Sequence, residues 1–310
     1  MLTAKRGGII SRYKTAFKNH WQLYVIFSLP FALIFIFHYI PIYGIQIAFR
    51  KWNPILGSTD SQWVGLKYFE SFFNSPDAVK LIWNTMRISL IDSAFGFPLP
   101  ILLALAVNVC LSTKYKKVVQ MVTYAPHFIS VVVMVSILQQ ITDLRIGVVN
   151  NFIKLFGGSA YDFMGSVSAF PWIYMISGIW HSAGYSAIVY IAALAGVSPE
   201  LHEAAVMDGA SRFKRLLHID IPCILPTVVI MLIMHIGNMF NVGYTKVYLM
   251  QNDLNLSVSE IISTYVYKVG LKNSNYSFST AISLMNTVVS LVLVTSTNAI
   301  AKHLSGTSLW

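Results

Sequence analysis

The sequence predicts an all-α polytopic membrane protein, with six transmembrane helices and a polar loop of two short helices between the fourth and fifth. Three observations predict it. Hydrophobic residues make up 55% of the 310-residue chain and charged residues only 11%, whereas a soluble domain carries about 25% charged residues. Six stretches, residues 21–40, 84–109, 118–140, 169–195, 224–250 and 276–301, stay apolar over the roughly 20 residues that a helical crossing needs. The segment SPELHEAAVMDGASRFKRLLHIDIP, residues 198–222, then sets seven charged residues between two apolar runs.

The elements follow in chain order. Residues 1–20 carry five Lys/Arg. Ahead of a first span, such a block reads as a juxtamembrane tail rather than a nucleic-acid-binding arm, so the net charge of +10 does not point to nucleic acid. The stretch WQLYVIFSLPFALIFIFHYI (21–40) is too long for the apolar region of a signal peptide and lacks a small-residue cleavage pattern after it; it is read as a span. Pro30, Pro98, Pro100, Pro126 and Pro226 fall inside spans, where neighbouring helices re-satisfy the freed backbone groups. Gly178, Gly184 and Gly237 are expected to let helices approach closely.

Charge counting orients the chain. Segments 1–20, 110–117, 196–223 and 302–310 hold 12 Lys/Arg in 65 residues, and segments 41–83, 141–168 and 251–275 hold 8 in 96. The denser set belongs inside, so both termini and the charged loop are expected in the cytoplasm. The outer segment 41–83 is rich in Tyr, Trp and Phe, which fits an interfacial aromatic belt and a docking surface for an external partner equally well. Cys110 and Cys223 lie far apart with no ligand spacing around them, so neither a disulfide framework nor a metal site is expected. The expected organisation is a basic tail (1–20), a six-span domain (21–301) that includes the loop 196–223, and a short C-terminal tail (302–310).

The charged loop has internal grammar. Ser198-Pro199-Glu200 reads as a helix start: a capping hydroxyl, proline in the first turn and an acid favoured by the helix dipole. Leu201, Ala204 and Ala205 share a face. Asp208-Gly209 is a stop and turn. A second short helix follows, apolar at Phe213, Leu216 and Leu217, and it is expected to end at Pro222. A helix lying on lipid favours Trp, Phe and Leu on its apolar side. Small residues and interleaved acids favour an element that docks on protein.

Glu203-Ala204-Ala205, Gly209 and Ile219-x-Ile221-Pro222 resemble the EAA loop of binding-protein-dependent ABC importer permeases. The resemblance runs along nearly the whole chain. YIPIYGIQIAFRKWNP, WVGLKYFESFF, YAPHFIS, GIWHSAGYSAIVYIAALAGVSPELHEAA and the terminal LSGTSLW are similar to the polysaccharide-type sugar permeases, relatives of the maltose and alginate importer membrane subunits. The resemblance implies the type I importer permease fold in a bacterial inner membrane. It also implies a second homologous permease subunit, two ATP-binding cassette ATPase subunits and a periplasmic or extracellular solute-binding protein. The loop would be the coupling helix, with Glu203 pairing with a base on the ATPase, Gly209 as the bend, and Asp208, Ala210, Ser211, Arg212 and Phe213 forming the tip beside Ala204 and Ala205. The chain has no G-x-x-x-x-G-K-[ST] phosphate loop. It is therefore expected to hold no catalytic site, cofactor or metal, with ATP and Mg bound by the partner ATPases.

Polar residues inside spans mark the expected path. Trp180, His181, Ser182 and Tyr185 lie in span four. His235, Asn238 and Asn241 recur every third residue of span five, on one expected helical face. Amides, hydroxyls and aromatic faces suit sugars, while the same groups also bridge helices. The resemblance implies sugar contacts in these two spans. His127, His181, His235 and Lys246 favour an anionic, uronate-type sugar such as alginate; His127 either lines a gate or caps the kink at Pro126. Asp92 is read as packing against a polar neighbour. An ion-coupled secondary transporter would need intramembrane acids and, in many folds, inverted repeats. That class and an ABC permease for a non-sugar solute are the alternatives to an oligosaccharide importer subunit.

Overall fold

The structure is a computed structural model describing residues 9–310; residues 1–8 of the basic tail lie outside the described residues. The first helix, α1 (Ile9–Ile34), is interrupted at His20 (φ −126°, ψ 22°), where tail and span were expected to meet. The helical path continues through a π turn, Phe35–Tyr39, and a 3-10 stretch, Ile40–Phe49. One apolar rod thus runs from Phe17 to Phe49, past the expected end at residue 40, and its most apolar window has no buried residue.

A small antiparallel hairpin, β1 (Arg50–Asn53) and β2 (Ser61–Trp63), follows, with Arg50 opposite Trp63. It leads to α2 (Lys67–Phe73). The second span, Asp77–Val109, is built from α3 (Asp77–Gly96) and α4 (Pro98–Val109). They join at Phe97 because Pro98 and Pro100 bring no backbone N–H to continue the ladder.

The predicted third span is not one helix. α5 (Thr113–Tyr124) passes into a 3-10 turn, Ala125–Phe128, and α6 (Val131–Ile141) leaves at 102° to it. Pro126 breaks the first piece, and Ser130 caps the second by accepting from Val133 N (3.3 Å). After α7 (Val148–Leu155), α8 (Phe170–Ala195) is continuous, as expected for span four. α9 (Pro199–Met207) bends 68° away from it. Span five, Arg212–Gly237, comprises a helical turn Arg212–Arg215, a π turn Leu216–Asp220 and α10 (Ile221–Gly237).

Two expectations are corrected here. The second short helix of the charged loop is not separate; it is the beginning of span five. Pro222 does not end it, because a proline in the first turn of α10 needs no helical N–H. Span five ends at Gly237 rather than residue 250, and residues 238–243 are irregular before α11 (Tyr244–Met250). Beyond α12 (Ile262–Tyr267) and a π turn, Lys268–Lys272, the last helix α13 (Tyr276–Ser305) makes the sixth span. Among the described residues, four helices are long and apolar enough to cross a membrane, and six crossings result if each bent pair counts as one. Gly306, at φ +68°, stops α13, and Leu309 N donates to Asn298 Oδ1 (2.8 Å), folding the tail back on the helix.

Packing is divided by depth. Near the charged loop, Ala104, Leu105, Ala187, Tyr190, Leu194 and Ile224 join spans two, four and five. At the opposite end, Ile88, Met134, Phe170, Tyr174, Val247 and Ile261 join spans two to four with α11 and the start of α12. The glycine expectation is met at two positions. A Cβ on Gly184 would run into the backbone carbonyl of Thr123, and one on Gly237 into the side chain of Val294. Gly178 instead faces Lys246 and Asp92.

Candidate functional site

The charged loop forms as its residues dictate. Ser198 accepts from Glu200 N (3.3 Å) at the start of α9. At its end, Gly209 takes φ +74°, and Ala210 N donates to Ala205 O (2.8 Å) while Gly209 N donates to Val206 O (3.0 Å), the glycine-dependent closure of a helix C-terminus. Ser211 then accepts from Lys214 N (3.4 Å) to start the next turn. Glu203, Ala204, Asp208, Gly209, Arg212 and Phe213 are exposed, and Ala205 and Ala210 half-buried. Met207, 86% exposed, and Phe213, 68% exposed, add apolar surface beside the acids, the combination expected of a docking surface.

Beneath this tip lies a polar lock that the sequence reading missed. Asp220 is 3% exposed. His202 Nε2 stands 3.4 Å from its Oδ1, and Asn108 Nδ2 donates to the same oxygen at 3.2 Å. Lys116 Nζ donates to Asn108 O (3.1 Å). The lock therefore joins the end of span two, α5, α9 and the start of span five. Its signal in the sequence is Asp220, an acid set between apolar residues at the start of a span.

Spans two, four and five, with α6 and α11, line a half-open cavity of about 480 Å3, inside the range of about 300–1,000 Å3 typical of ligand sites. Tyr174, His181, Ser182, His235, Asn238 and Lys246 line it, with Asp92. Lys246 Nζ donates to Tyr174 O (2.5 Å) and lies 4.0 Å from the centre of the Tyr174 ring. His235 Nε2 meets Ser93 Oγ at 2.9 Å. His181 Nε2 meets Ile129 O at 2.9 Å, and Ser182 donates to Gly178 O (2.8 Å).

Not every expected path residue faces this space. Trp180 lies elsewhere on α8, in an apolar groove of about 340 Å3 with Ile137, Ile141 and Ile176. Its position within the turn of α8 turns it away from His181. Tyr185 stacks on His127. Asn238 and Asn241 do not share a helical face, since α10 has ended before them; Asn238 lines the main cavity and Asn241 a smaller adjoining one of about 110 Å3. Asp92, expected to pack against a polar neighbour, lies near Lys246 and His235 and also lines both cavities. The four charged or imidazole groups Asp92, His181, His235 and Lys246 thus meet in one space from three spans and α11.

The loops at the far end are tied by buried amides. Asn150 Nδ2 donates to Thr142 O (3.1 Å), Asp143 O (3.0 Å) and Tyr161 O (3.0 Å). Asp143 accepts from the backbone N–H groups of Arg145 (2.8 Å) and Ile146 (2.9 Å). The hydrogen bonds from Ile146 and Arg145 hold its carboxyl below the ordinary 3.8.

A polytopic helical chain, with a polar cavity between its spans and an exposed knuckle of one short helix and its turn at one end, is a membrane permease subunit. Residues 96–306 match the family described as "Binding-protein-dependent transport system inner membrane component". The chain belongs to that family, a component of ABC importers in the inner membrane. It is 40% identical over 302 residues to Protein LplB of Bacillus subtilis (strain 168), covering 97% of this chain and 94% of that one. It is 41% identical over 275 residues to the polygalacturonan/rhamnogalacturonan transport system permease protein YteP of the same organism, covering 88% and 86%. A chain in the crystal structure of a bacterial ABC transporter involved in the import of the acidic polysaccharide alginate matches with TM-score 0.87 and 35% identity, over 95% of this chain and 99% of that one.

Proposed function

We propose that this chain is one half of the translocation path of an ATP-driven, binding-protein-dependent importer for acidic oligosaccharides. The observation that carries the reading is the cavity of about 480 Å3 in which hydroxyl, amide and imidazole groups surround the buried Lys246. Ser182 and Asn238 suit the hydroxyls of a sugar, Tyr174 offers an aromatic face, and Lys246 with His181 and His235 suits a carboxylate. Asp92 balances the cation when no sugar is bound. Two similar proteins carry matching names: one is described as a polygalacturonan/rhamnogalacturonan permease, and the other belongs to an alginate importer. A related structure is described as a complex with an alginate pentasaccharide-bound periplasmic protein, which supports a solute-binding partner on the far side of the membrane.

The exposed knuckle supports the other partnership. Glu203 forms the ion pair with a separate ATPase subunit, and Asp208, Gly209, Ala210, Ser211, Arg212 and Phe213 fill its cleft from the cytoplasm. A second permease subunit covers the open side of the path, and both termini are cytoplasmic. ATP and Mg bind to the ATPases. The chain contributes no covalent chemistry: it supplies two alternative packings of its spans, and ATP-driven movement of the knuckle selects between them.

The test is uptake by proteoliposomes holding the two permeases, the ATPases and the binding protein. ATP-dependent uptake of oligogalacturonate, with little uptake of a neutral oligosaccharide of equal length, is expected. Uptake that persists without ATP and collapses with the proton gradient would support an ion-coupled carrier built on Asp92. ATP-dependent uptake of a non-sugar solute alone would reassign the cargo.

A further inference from the structure

On the side of the bundle opposite the charged loop, α11, α12 and the first turn of α13 enclose an open cleft of about 360 Å3. Its walls are the rings of Tyr244, Tyr267 and Tyr276, the hydroxyls of Ser263, Ser279 and Thr280, and the aliphatic side chains of Val266 and Leu271. Tyr244 and Tyr248, one turn apart on α11, have ring centroids 5.6 Å apart, and Tyr267 packs on both at 4.9 and 5.2 Å. Tyr276 meets Trp52 of the hairpin edge-on at 5.1 Å. Lys272 Nζ stands 5.2 Å from the Tyr248 ring centre and 6.0 Å from that of Tyr267. A hydrogen bond to Tyr248 holds its ammonium above the ordinary range. Gly270 lies close under Ser279, where a Cβ would stand 2.5 Å from Oγ, so the backbone itself makes part of the wall.

The polarity of these groups is directional. Ser279 Oγ donates to Tyr276 O (3.1 Å), Thr280 Oγ1 to Tyr276 O (2.7 Å) and Ser263 Oγ to Val242 O (3.2 Å). Each hydroxyl spends its proton on the backbone and keeps lone pairs to accept. The cleft thus offers aromatic faces and acceptors, and the ammonium of Lys272 stands beside it, over the Tyr267 ring of its wall. A lipid tail needs none of the last two. A sugar uses all three, with C–H faces on the rings, hydroxyl protons to Ser and Thr, and a carboxylate beside Lys272.

The cleft also abuts the main path. Val242, which accepts from Ser263, lies in the irregular segment with Asn238 and Asn241. Asn286, two turns along α13 from Ser279, donates to Asn241 Oδ1 (3.3 Å).

We propose that this cleft is a second carbohydrate subsite at the outer mouth of the path, taking a short uronate segment before it reaches the main cavity. It deepens the function proposed above and rests on it.

The experiment is binding of trigalacturonate and of maltotriose to the purified complex of permeases and ATPases, without the binding protein, read by saturation-transfer NMR, together with uptake in proteoliposomes. Tyr267→Ala should weaken trigalacturonate binding several-fold, up to about tenfold, and Tyr267→Phe should restore it, since the ring and not the hydroxyl makes the contact. Lys272→Gln should reduce trigalacturonate binding to the level of maltotriose and leave maltotriose unchanged. Asn238→Ala, which alters the main cavity, should leave this outer signal in place. Equal trigalacturonate binding by wild type and Tyr267→Ala overturns the subsite, and so does equal loss of both sugars in Lys272→Gln. A wild-type system that takes up neither sugar overturns the function itself, which separates the two failures.

Discussion

The imidazole of His127 lies flat on the phenol ring of Tyr185, with centroids 3.9 Å apart and planes 7° apart. His127 sits in the turn that breaks span three, and Tyr185 is on the continuous span four. The stack therefore fastens the 102° bend of span three to the unbroken helix α8. His181, one turn earlier on α8, holds Ile129 O from the same side (2.9 Å). The stack gives His127 a part in supporting the kink.

Removing that stack should loosen the bend. Tyr185→Ala forfeits an aromatic pair of about 0.5–1.5 kcal/mol beyond the buried area, and should lower the unfolding temperature of the purified permease. Tyr185→Phe keeps the ring and should match wild type. Equal melting of all three proteins would remove the stack from any structural role.

The knuckle depends on a backbone state as much as on its charges. Gly209 has φ +74°, and a Cβ there would meet nothing within 4 Å. Gly209→Ala therefore costs about 1–2 kcal/mol of left-handed strain without a clash. Co-purification with the ATPase should fall in Gly209→Ala. It should also fall in Glu203→Lys, which reverses the exposed charge and leaves the fold intact. Normal assembly and ATP-driven uptake in both variants would refute the docking role of the loop.

The lock below the knuckle should govern transmission rather than docking. Asp220 receives both His202 and Asn108, so Asp220→Ala leaves two partly buried polar groups without their acceptor, at about 1 kcal/mol. Asp220→Asn keeps one acceptor oxygen and should be milder. Both should retain ATPase binding while uptake per ATP hydrolysed falls. A parallel loss of binding and uptake would assign Asp220 to docking instead.

Asp143 gives the far-side loops an acid limit. Hydrogen bonds from Ile146 and Arg145 lower its pKa in the folded chain below the ordinary 3.8. A group with a depressed folded pKa contributes fully above the ordinary value, and its contribution is lost as pH falls through the folded one. Protection from hydrogen exchange in residues 143–161, taken relative to the intrinsic rate at each pH, should therefore fall below pH 3.8, and Asp143→Asn should show reduced protection at neutral pH with little further change on acidification. Acid-independent protection in the wild type would contradict this.

Much of the fold was legible in the sequence because its cause is local. Long apolar runs require helices in a bilayer, since no water is there to satisfy the backbone. Ser198, Gly209 and the alanines between them specify a capped helix and its turn with no help from the rest of the chain. Gly184 and Gly237 could be read as points of close approach for the same reason: lacking a Cβ, they permit it anywhere. The sequence by itself determined the membrane class, the six apolar stretches and the knuckle with its bend.

What only the tertiary structure decided depends on partners distant in the chain. Hydropathy cannot see a 102° turn at residues 129–130, because it reports transfer to lipid and not the direction of the chain. It cannot see span five stop at Gly237, where Asn238 and Asn241 leave the helix that their spacing implied. Trp180 and His181 are adjacent in the chain, yet one turns to an apolar groove and the other to the polar cavity. Asp92 and Lys246 lie far apart in sequence and are brought to either side of Gly178. A buried charge finds its counter-charge through packing, and packing is a property of the whole bundle.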